Sequence, residues 1–171
     1  MIPRLTTSTL PSPVGPLAIA TDEQGRLRGV SFGDGLTKAM RREYPRASFL
    51  EDETPTAVRE GIDAYFAGDM DAFTRIPWTL EDAAADGGFQ ARVWVALSEV
   101  PAGTTITYGE MAKRAGEASA AQAAGVALNR NPIPLVLPCH RVIGADGAMV
   151  GFGGGLERKT WLLRHEGAIL I

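Results

Sequence analysis

Cys139 and His140 stand side by side in Pro138-Cys139-His140-Arg141-Val142, the protein's single cysteine beside one of its two histidines. A thiol attacks carbon in proportion to its thiolate fraction, and a neighbouring base or cation raises that fraction. The pair therefore suits nucleophilic displacement at sulfur. An isolated cysteine is more often an inert core residue, so its neighbours must decide. Pro138 cannot continue a ladder or a helix and stiffens the approach to the thiol. Consecutive side chains of a strand point to opposite faces, so the two residues meet only if the backbone turns there or a water bridges them. The imidazole also needs an acceptor to orient it. Glu166 offers a carboxylate, which would complete a relay of thiol, water, imidazole and carboxylate. Taken alone, the sequence favours an exposed helix-end carboxylate at Glu166. His165 has no chemical neighbour to assign and reads as a packing or surface histidine.

The thiol is framed by Asn131-Pro132 before it and Gly151-Phe152-Gly153-Gly154-Gly155 after it. That glycine run lacks dinucleotide-fingerprint spacing and follows a hairpin pattern, but it lets backbone come close to a ligand. Ile133 to Leu137 reads as a buried extended run. Ala145-Asp146-Gly147 signals a hairpin turn. Upstream, Phe89, Val93, Trp94, Leu97 and Val100 give one face of an amphipathic helix stopped by Pro101-Ala102-Gly103. Thr105 to Tyr108 leads into a short helix over 109–115, broken by Gly116. Ser119 caps a second, running to about Leu128. Two short helices about a glycine-containing turn make a helix-turn-helix pattern, although an Ala-rich helix is more often a core element. Leu156 to Glu166 is the last helix.

The first half carries no chemical motif. Threonine-rich Leu5–Leu10, Leu17–Ala20 and Leu27–Phe32 read as strands, the last two a hairpin about Asp22-Glu23-Gln24-Gly25. Thr37–Glu43 and a longer stretch from Thr56 to Gly68 read as helices, and Phe73–Trp78 as a further strand. The small, polar segment Glu81 to Gly88 marks a junction. The expectation is two domains, 1–84 and 85–171, in an α/β chain.

Bulk properties narrow the class. The 171 residues are 45% hydrophobic and 22% charged, a globular composition. One cysteine excludes an intramolecular disulfide and any C-x-x-C metal site, which points to a reducing compartment. Neither a secretory signal nor a membrane-length apolar run is present, so a cytoplasmic protein without membrane attachment is expected. The net charge of −3 argues mildly against nucleic acid. Its distribution softens that: residues 1–100 hold 10 basic and 15 acidic residues, residues 101–171 hold 7 and 5.

Residues 88–167 closely resemble the O6-alkylguanine-DNA alkyltransferases. The resemblance rests on Phe89-Gln90-Ala91-Arg92-Val93-Trp94, Tyr108-Gly109-Glu110, Gly125, Asn131-Pro132, Pro138 to Gly144, Gly151 to Leu156, and Arg158-Lys159 with Leu162-Leu163. Ser12 to Leu17 and Ala64 to Gly68 match the family's first domain in general shape. The resemblance implies a ribonuclease-H-like N-terminal sheet with helices, and a mainly helical second domain holding the helix-turn-helix and the cysteine loop. It implies a monomer that binds double-stranded DNA carrying an alkylated base and flips the damaged nucleotide from the stack. Cys139 then takes the alkyl group from guanine O6, with O4-alkylthymine a further candidate, and is consumed. His140 would be the water-mediated base, Glu166 its orienter, and Asn131 the residue ordering the turn. Tyr108 would donate to the base as its oxygen gains charge, or assist rotation of the phosphate. Gln90, Tyr108, Ala121, Gln122, Gly125 and Arg130 would meet DNA. Pro134, Val142, Phe152 and Gly153 would line the base pocket, the guanine edge read by carbonyls near Val142 and Cys139. No cofactor or metal is implied; the zinc ligands of eukaryotic members have no counterpart in a first domain without Cys or His.

Two departures stand out. The family's A-R-A-V-G segment, whose arginine fills the gap left by the flipped base, here reads Ala121-Gln122-Ala123-Ala124-Gly125, and Glu117 adds negative charge in the turn before it. Gln122 brings neither charge nor guanidinium plane, so weaker DNA binding is expected. Phe152 stands where some relatives carry tyrosine. A lesion-binding or sensing protein with weak or no transfer is the alternative that Gln122 favours. A Cys-His hydrolase fits poorly, because no oxyanion-hole motif is evident.

Overall fold

The structure, a computed structural model, describes residues 4–33, 36–80, 88–147, 152 and 154–169. The chain divides into two compact units, Met1–Ala83 and Ala84–Ile171.

In the first unit, strands β1 (Arg4–Leu10), β2 (Leu17–Thr21), β3 (Leu27–Phe32) and β4 (Ser48–Glu51) form one sheet in the order β3-β2-β1-β4. The first three pair antiparallel, and β4 returns parallel to β1 after helix α1 (Leu36–Glu43). Leu5, Ala20, Leu36, Met40, Tyr44 and Ala47 pack together between sheet and helix. The β2–β3 turn is tied by one carboxylate. Asp22 Oδ1 accepts from the Gln24 and Arg26 amides, and Oδ2 accepts from Arg26 Nε at 2.8 Å and Arg28 Nε at 2.9 Å. Helix α2 (Thr56–Phe66) follows. The strand expected over Phe73–Trp78 does not form. Ala72–Arg75 make a 3₁₀ turn in which Phe73 stacks on Tyr65 of α2 at 4.1 Å between centroids, and only Trp78 bridges to Leu27. Thr74 closes that turn onto the Asp71 carbonyl, so ring stacking and a local hydrogen bond override the aromatic strand preference.

In the second unit, helix α3 (Phe89–Leu97) buries Ala91, Val93, Trp94 and Leu97. The Trp94 indole N–H donates to the Ala127 carbonyl at 2.8 Å, fastening α3 to helix α5 (Ala121–Asn129). Arg92 Nε donates to the Ala115 carbonyl and so fastens α3 to the end of helix α4 (Tyr108–Arg114). Thr107 caps α4 by accepting from the Glu110 amide, a bond worth about 1 kcal/mol. At the other end of α4, Gly116 takes φ +95° while its amide and that of Glu117 bond back to Lys113 and Ala112. This Schellman closure needs a left-handed residue, which is why the turn of the helix pair is glycine.

Two expectations fail in this unit. Ser119 does not cap α5: the cap position is Ala120, without a side-chain bond, because the Ala120 amide is drawn into a turn onto the Glu117 carbonyl. Ile133–Leu137 is not extended. It is a tight loop in which Leu135 takes φ +74° and the Leu137 amide reaches the Ile133 carbonyl at 2.9 Å. Pro132, Pro134 and Pro138 deny this stretch the amides a ladder requires. After it, Cys139–Arg141 form a 3₁₀ turn. The next pair, β6 (Val142–Ile143), lies parallel to β5 (Ile106–Thr107). The Gly147 amide closes the turn expected at Ala145-Asp146-Gly147 onto Gly144, and residues 148–150 beyond it lie outside the described residues. Helix α6 (Leu156–His165) ends the unit. Among the described residues no helix is long and apolar enough to cross a membrane.

Candidate active site

The β5–β6 pairing matches Ile106 with Val142 and Thr107 with Ile143, so the N-terminus of α4, with Tyr108, lies beside the turn that carries Cys139. Asn131 shapes the loop before that turn. Its amide donates to the Leu137 carbonyl at 2.7 Å, and its carbonyl oxygen accepts from the Ile133 amide at 3.0 Å. The Cys139 amide bonds to the same Leu137 carbonyl, so one acceptor ties Asn131 to the nucleophile's backbone. Cys139 is 8% exposed. Burial pushes its thiol up from the ordinary cysteine value. Opposing that are a hydrogen bond from Asn131, the charge of Lys159, and the backbone amides of Cys139 and His140.

His140 is wholly buried, and its Nε2 lies 2.8 Å from Glu166 Oε2. Glu166 caps the end of α6 and is itself buried, contrary to the exposed carboxylate that sequence alone favoured. Arg141 grips it twice, Nε on Oε1 at 2.9 Å and Nη2 on Oε2 at 2.8 Å, and donates Nη1 to the Val100 carbonyl. Burial would raise the Glu166 carboxyl, but His140 and Arg141 outweigh it and hold it far below the usual glutamate range. An ionised carboxylate only accepts, so Nε2 must carry the proton. Nδ1 then presents a lone pair, and it is buried with no hydrogen-bond partner among the described residues. Burial holds the His140 pKa below its ordinary value, and the charges of Arg141 and Lys159 act the same way against the pull of Glu166. A neutral imidazole with an available Nδ1 is what a general base requires. The Cys139–His140 step lies on a turn, not a strand, so the alternation expected of consecutive strand side chains does not apply.

Residues 88–168 match the 6-O-methylguanine DNA methyltransferase DNA binding domain, and residues 5–80 its ribonuclease-like domain. The methylated-DNA–protein-cysteine methyltransferase of Salmonella typhimurium is 38% identical over 173 residues, covering 98% of this chain and 99% of that one. That of Methanosarcina acetivorans is 42% identical over 157 residues, covering 92% and 95%. The chain belongs to the 6-O-methylguanine DNA methyltransferase family. Among solved structures, the O6-methylguanine methyltransferase of Mycobacterium tuberculosis superposes with a TM-score of 0.76 at 34% identity, covering 96% of this chain and 93% of that one. The M. tuberculosis protein in complex with DNA gives 0.75 at the same identity and coverage. The two-domain α/β architecture expected from the sequence is the one observed.

Within this methyltransferase frame the structure brings Cys139, His140, Glu166, Asn131 and Tyr108 into one cluster. Burial raises the Tyr108 phenol, and the nearby Cys139 charge acts in the same direction, which keeps the hydroxyl protonated as a donor. Phe152 stands edge-on to His140, centroids 6.4 Å apart, at the border of the cluster. Val142 is buried and Pro134 half-buried. The Val142 carbonyl already accepts from Lys159 Nζ, and the Cys139 carbonyl from the Val142 amide. Gly153 lies outside the described residues.

The residues expected to meet DNA are spread over three helices, with Tyr108 opening α4. Gln122 and Arg130 are exposed, and Ala121 and Gly125 half-buried, all on or at the end of α5; Gln90 is half-buried in the first turn of α3. A Cβ at Gly125 would lie 3.8 Å from the Tyr108 ring, so this glycine seats the tyrosine on α5. Glu117 is partly offset by Arg92, whose Nη2 lies 3.7 Å from its carboxylate, both about half-exposed. His165 stacks on Trp161 at 4.9 Å. The residue that sequence reasoning left without a role is Lys159. Its position in the apolar pattern of α6, beside Leu162 and Leu163, was the available signal.

Proposed function

We propose that this chain repairs double-stranded DNA by moving the alkyl group of O6-alkylguanine onto its own Cys139. The observation that carries the reading is a buried thiol beside a histidine whose Nε2–H is committed to Glu166 and whose Nδ1 is left as the base. Water relays the thiol proton to Nδ1. The sulfur electron pair forms the S–C bond as the C–O6 bond breaks, and the departing pair stays on the guanine. Tyr108 donates its hydroxyl proton as that charge develops, or alternatively assists the rotation that flips the nucleotide. The product thioether has no ready leaving group, so each molecule acts once. Residues 85–171 bind DNA and transfer the group, through Gln90, Tyr108, Ala121, Gln122 and Arg130, with Gly125 seating Tyr108 against α5. Residues 1–84 support them. The protein works as a cytoplasmic monomer.

Intact-mass measurement after incubation with an O6-methylguanine oligonucleotide tests this. One methyl replacing one hydrogen adds about 14 Da, on Cys139, by the displacement chemistry of a thiolate. Cys139→Ser should gain nothing. A wild-type chain that binds the lesion yet stays unmodified would instead be a lesion sensor. An O4-methylthymine oligonucleotide run in parallel reads the second lesion. For Gln122→Arg, DNA affinity should rise and its log–log salt slope steepen by about one; unchanged affinity would show that Gln122 does not limit binding.

A further inference from the structure

One large apolar side chain of α5 faces water. Val126 is 55% exposed, although the same helix buries Ala124, Ala127 and Leu128. The exposed residues of α5 and its end are Gln122, Ala123, Val126, Asn129 and Arg130. At about 100° per residue these five span an arc of about 120°, with Val126 at its middle. Gln122 lies one turn before Val126 and Arg130 one turn after, about 12 Å apart along the axis. A duplex touched by both therefore passes over Val126. Arg130 is the cation of the arc and stands at one end of it. The middle offers neither charge nor hydrogen bond.

Covering that middle with DNA gains apolar contact, which is insensitive to salt, where a lysine or arginine would release counter-ions. Apolar side chains that press on base steps do so from the minor groove, whose walls are deoxyribose. There A·T and T·A pairs show acceptors alone, and a G·C pair adds the guanine 2-amino donor. The acceptors lie on the groove floor of every pair, whereas the amino group projects toward an approaching helix. Valine cannot accept from it. A guanine beneath Val126 therefore loses water and gains no partner, which is costly. Gln122 and Asn129 carry acceptor oxygens to either side along the helix, so the discrimination falls on the pairs under Val126. We propose that Val126 is a specificity-determining residue of the transfer. It lies in the minor groove within about two base pairs of the lesion, since it stands about 6 Å along α5 from Gln122, and it favours neighbouring pairs without a 2-amino group. The inference rests on α5 meeting DNA with Gln122 at the flipped base.

Two measurements on the full chain test it: duplex affinity by fluorescence anisotropy at several salt concentrations, and the second-order rate constant of methyl transfer by intact mass. The duplexes carry either guanine or inosine beside the O6-methylguanine. Inosine lacks only the 2-amino group and leaves the major groove unchanged. Wild type should bind and repair the inosine-flanked duplex about fivefold better or more. Val126→Ala raises helix propensity, so folding is not at stake. It should lose about five- to tenfold in affinity at every salt concentration, with the log–log slope unchanged. Inosine also loosens its own pair in every variant, so the part carried by residue 126 is the difference between the preferences of the two chains. Val126→Thr keeps the shape and supplies a hydroxyl acceptor, and guanine flanks should be tolerated again. An inosine preference equal in wild type and Val126→Ala overturns the proposal. So does a response to 7-deazaguanine flanks, altered in the major groove, that Val126→Ala abolishes. Methyl gained on Cys139 without any dependence on the flanks would sink the role of Val126 and leave repair standing. Absence of methyl would sink repair, and the affinities would still decide the role of Val126.

Discussion

Asp22 in the first unit and Glu166 in the second are both buried carboxylates gripped by arginine, and both are held below their ordinary values despite burial. They differ in what else shares the oxygens. Asp22 takes two backbone amides and two guanidiniums, all of them donors that keep their protons at any physiological pH. Glu166 takes one guanidinium and an imidazole, and that imidazole lies next to a thiol in the chain. The same physics therefore gives a rigid turn in one unit and an adjustable proton relay in the other. A buried ion pair alone is a poor sign of chemistry. A buried ion pair that includes a titratable partner beside a nucleophile is a good one.

Replacing each carboxylate by its amide separates these roles. Glu166→Gln and Asp22→Asn each leave a buried arginine without its counter-charge, at a cost of about 3–5 kcal/mol in denaturant unfolding. Only Glu166→Gln should also slow single-turnover transfer per folded molecule, by about 10²-fold or more, because the amide no longer fixes the tautomer of His140. If Asp22→Asn slowed transfer per folded molecule equally, the contrast between the two units would collapse.

Acid should distinguish them next. The folded-state values of Asp22, Glu166 and His140 are all depressed. Each therefore contributes stability above its unfolded value, lost as pH falls toward the folded one. For the carboxylates that loss begins near pH 4, and for His140 near pH 6.5. Between about pH 6.5 and 4.5 only the second unit should weaken. Amide hydrogen exchange should quicken around Leu162–Glu166 while the amides of Gln24 and Arg26 hold; loss of protection in both together would contradict it. Asn131→Ala should come third. It removes two hydrogen bonds that hold the cysteine loop, costing about 1–3 kcal/mol and slowing transfer through a less ionised thiol.

Helices and the first three strands were legible because their signals are local: the apolar spacing of α3, the glycine closing α4, the threonine-rich alternation of β1. β4 was not, since Ser48-Phe49-Leu50-Glu51 buries no side chain fully and pairs only because α1 returns the chain beside β1. The β5–β6 pair, two residues each, is below any periodicity, yet it sets Tyr108 beside Cys139. The chemical residues were legible by type, through the Cys-His pair, the Asn-Pro step and the matching motif. Their burial was not, because it depends on α6 folding back over the turn. That is why Glu166 read as exposed, and why Lys159, an ordinary surface residue by composition, is enclosed.

The smallest effect is expected at Gly125, and it bears on which face of α5 meets DNA. Glycine inside a helix costs about 1 kcal/mol relative to alanine, so Gly125→Ala should recover some of that. The added methyl would touch Tyr108 Cδ1 and Cε1 at 3.8 Å, an ordinary contact that requires no movement. It points toward the protein's own tyrosine, whereas Gln122, Ala123 and Val126 occupy the exposed side of the helix. Thermal unfolding should therefore shift slightly upward, and DNA affinity and methyl transfer should stay within about twofold, as for substitutions that break no contact. A tenfold loss of affinity with stability intact would show instead that DNA comes against the backbone at Gly125, where even one methyl is too much, and would turn the DNA-facing side of α5 toward Tyr108.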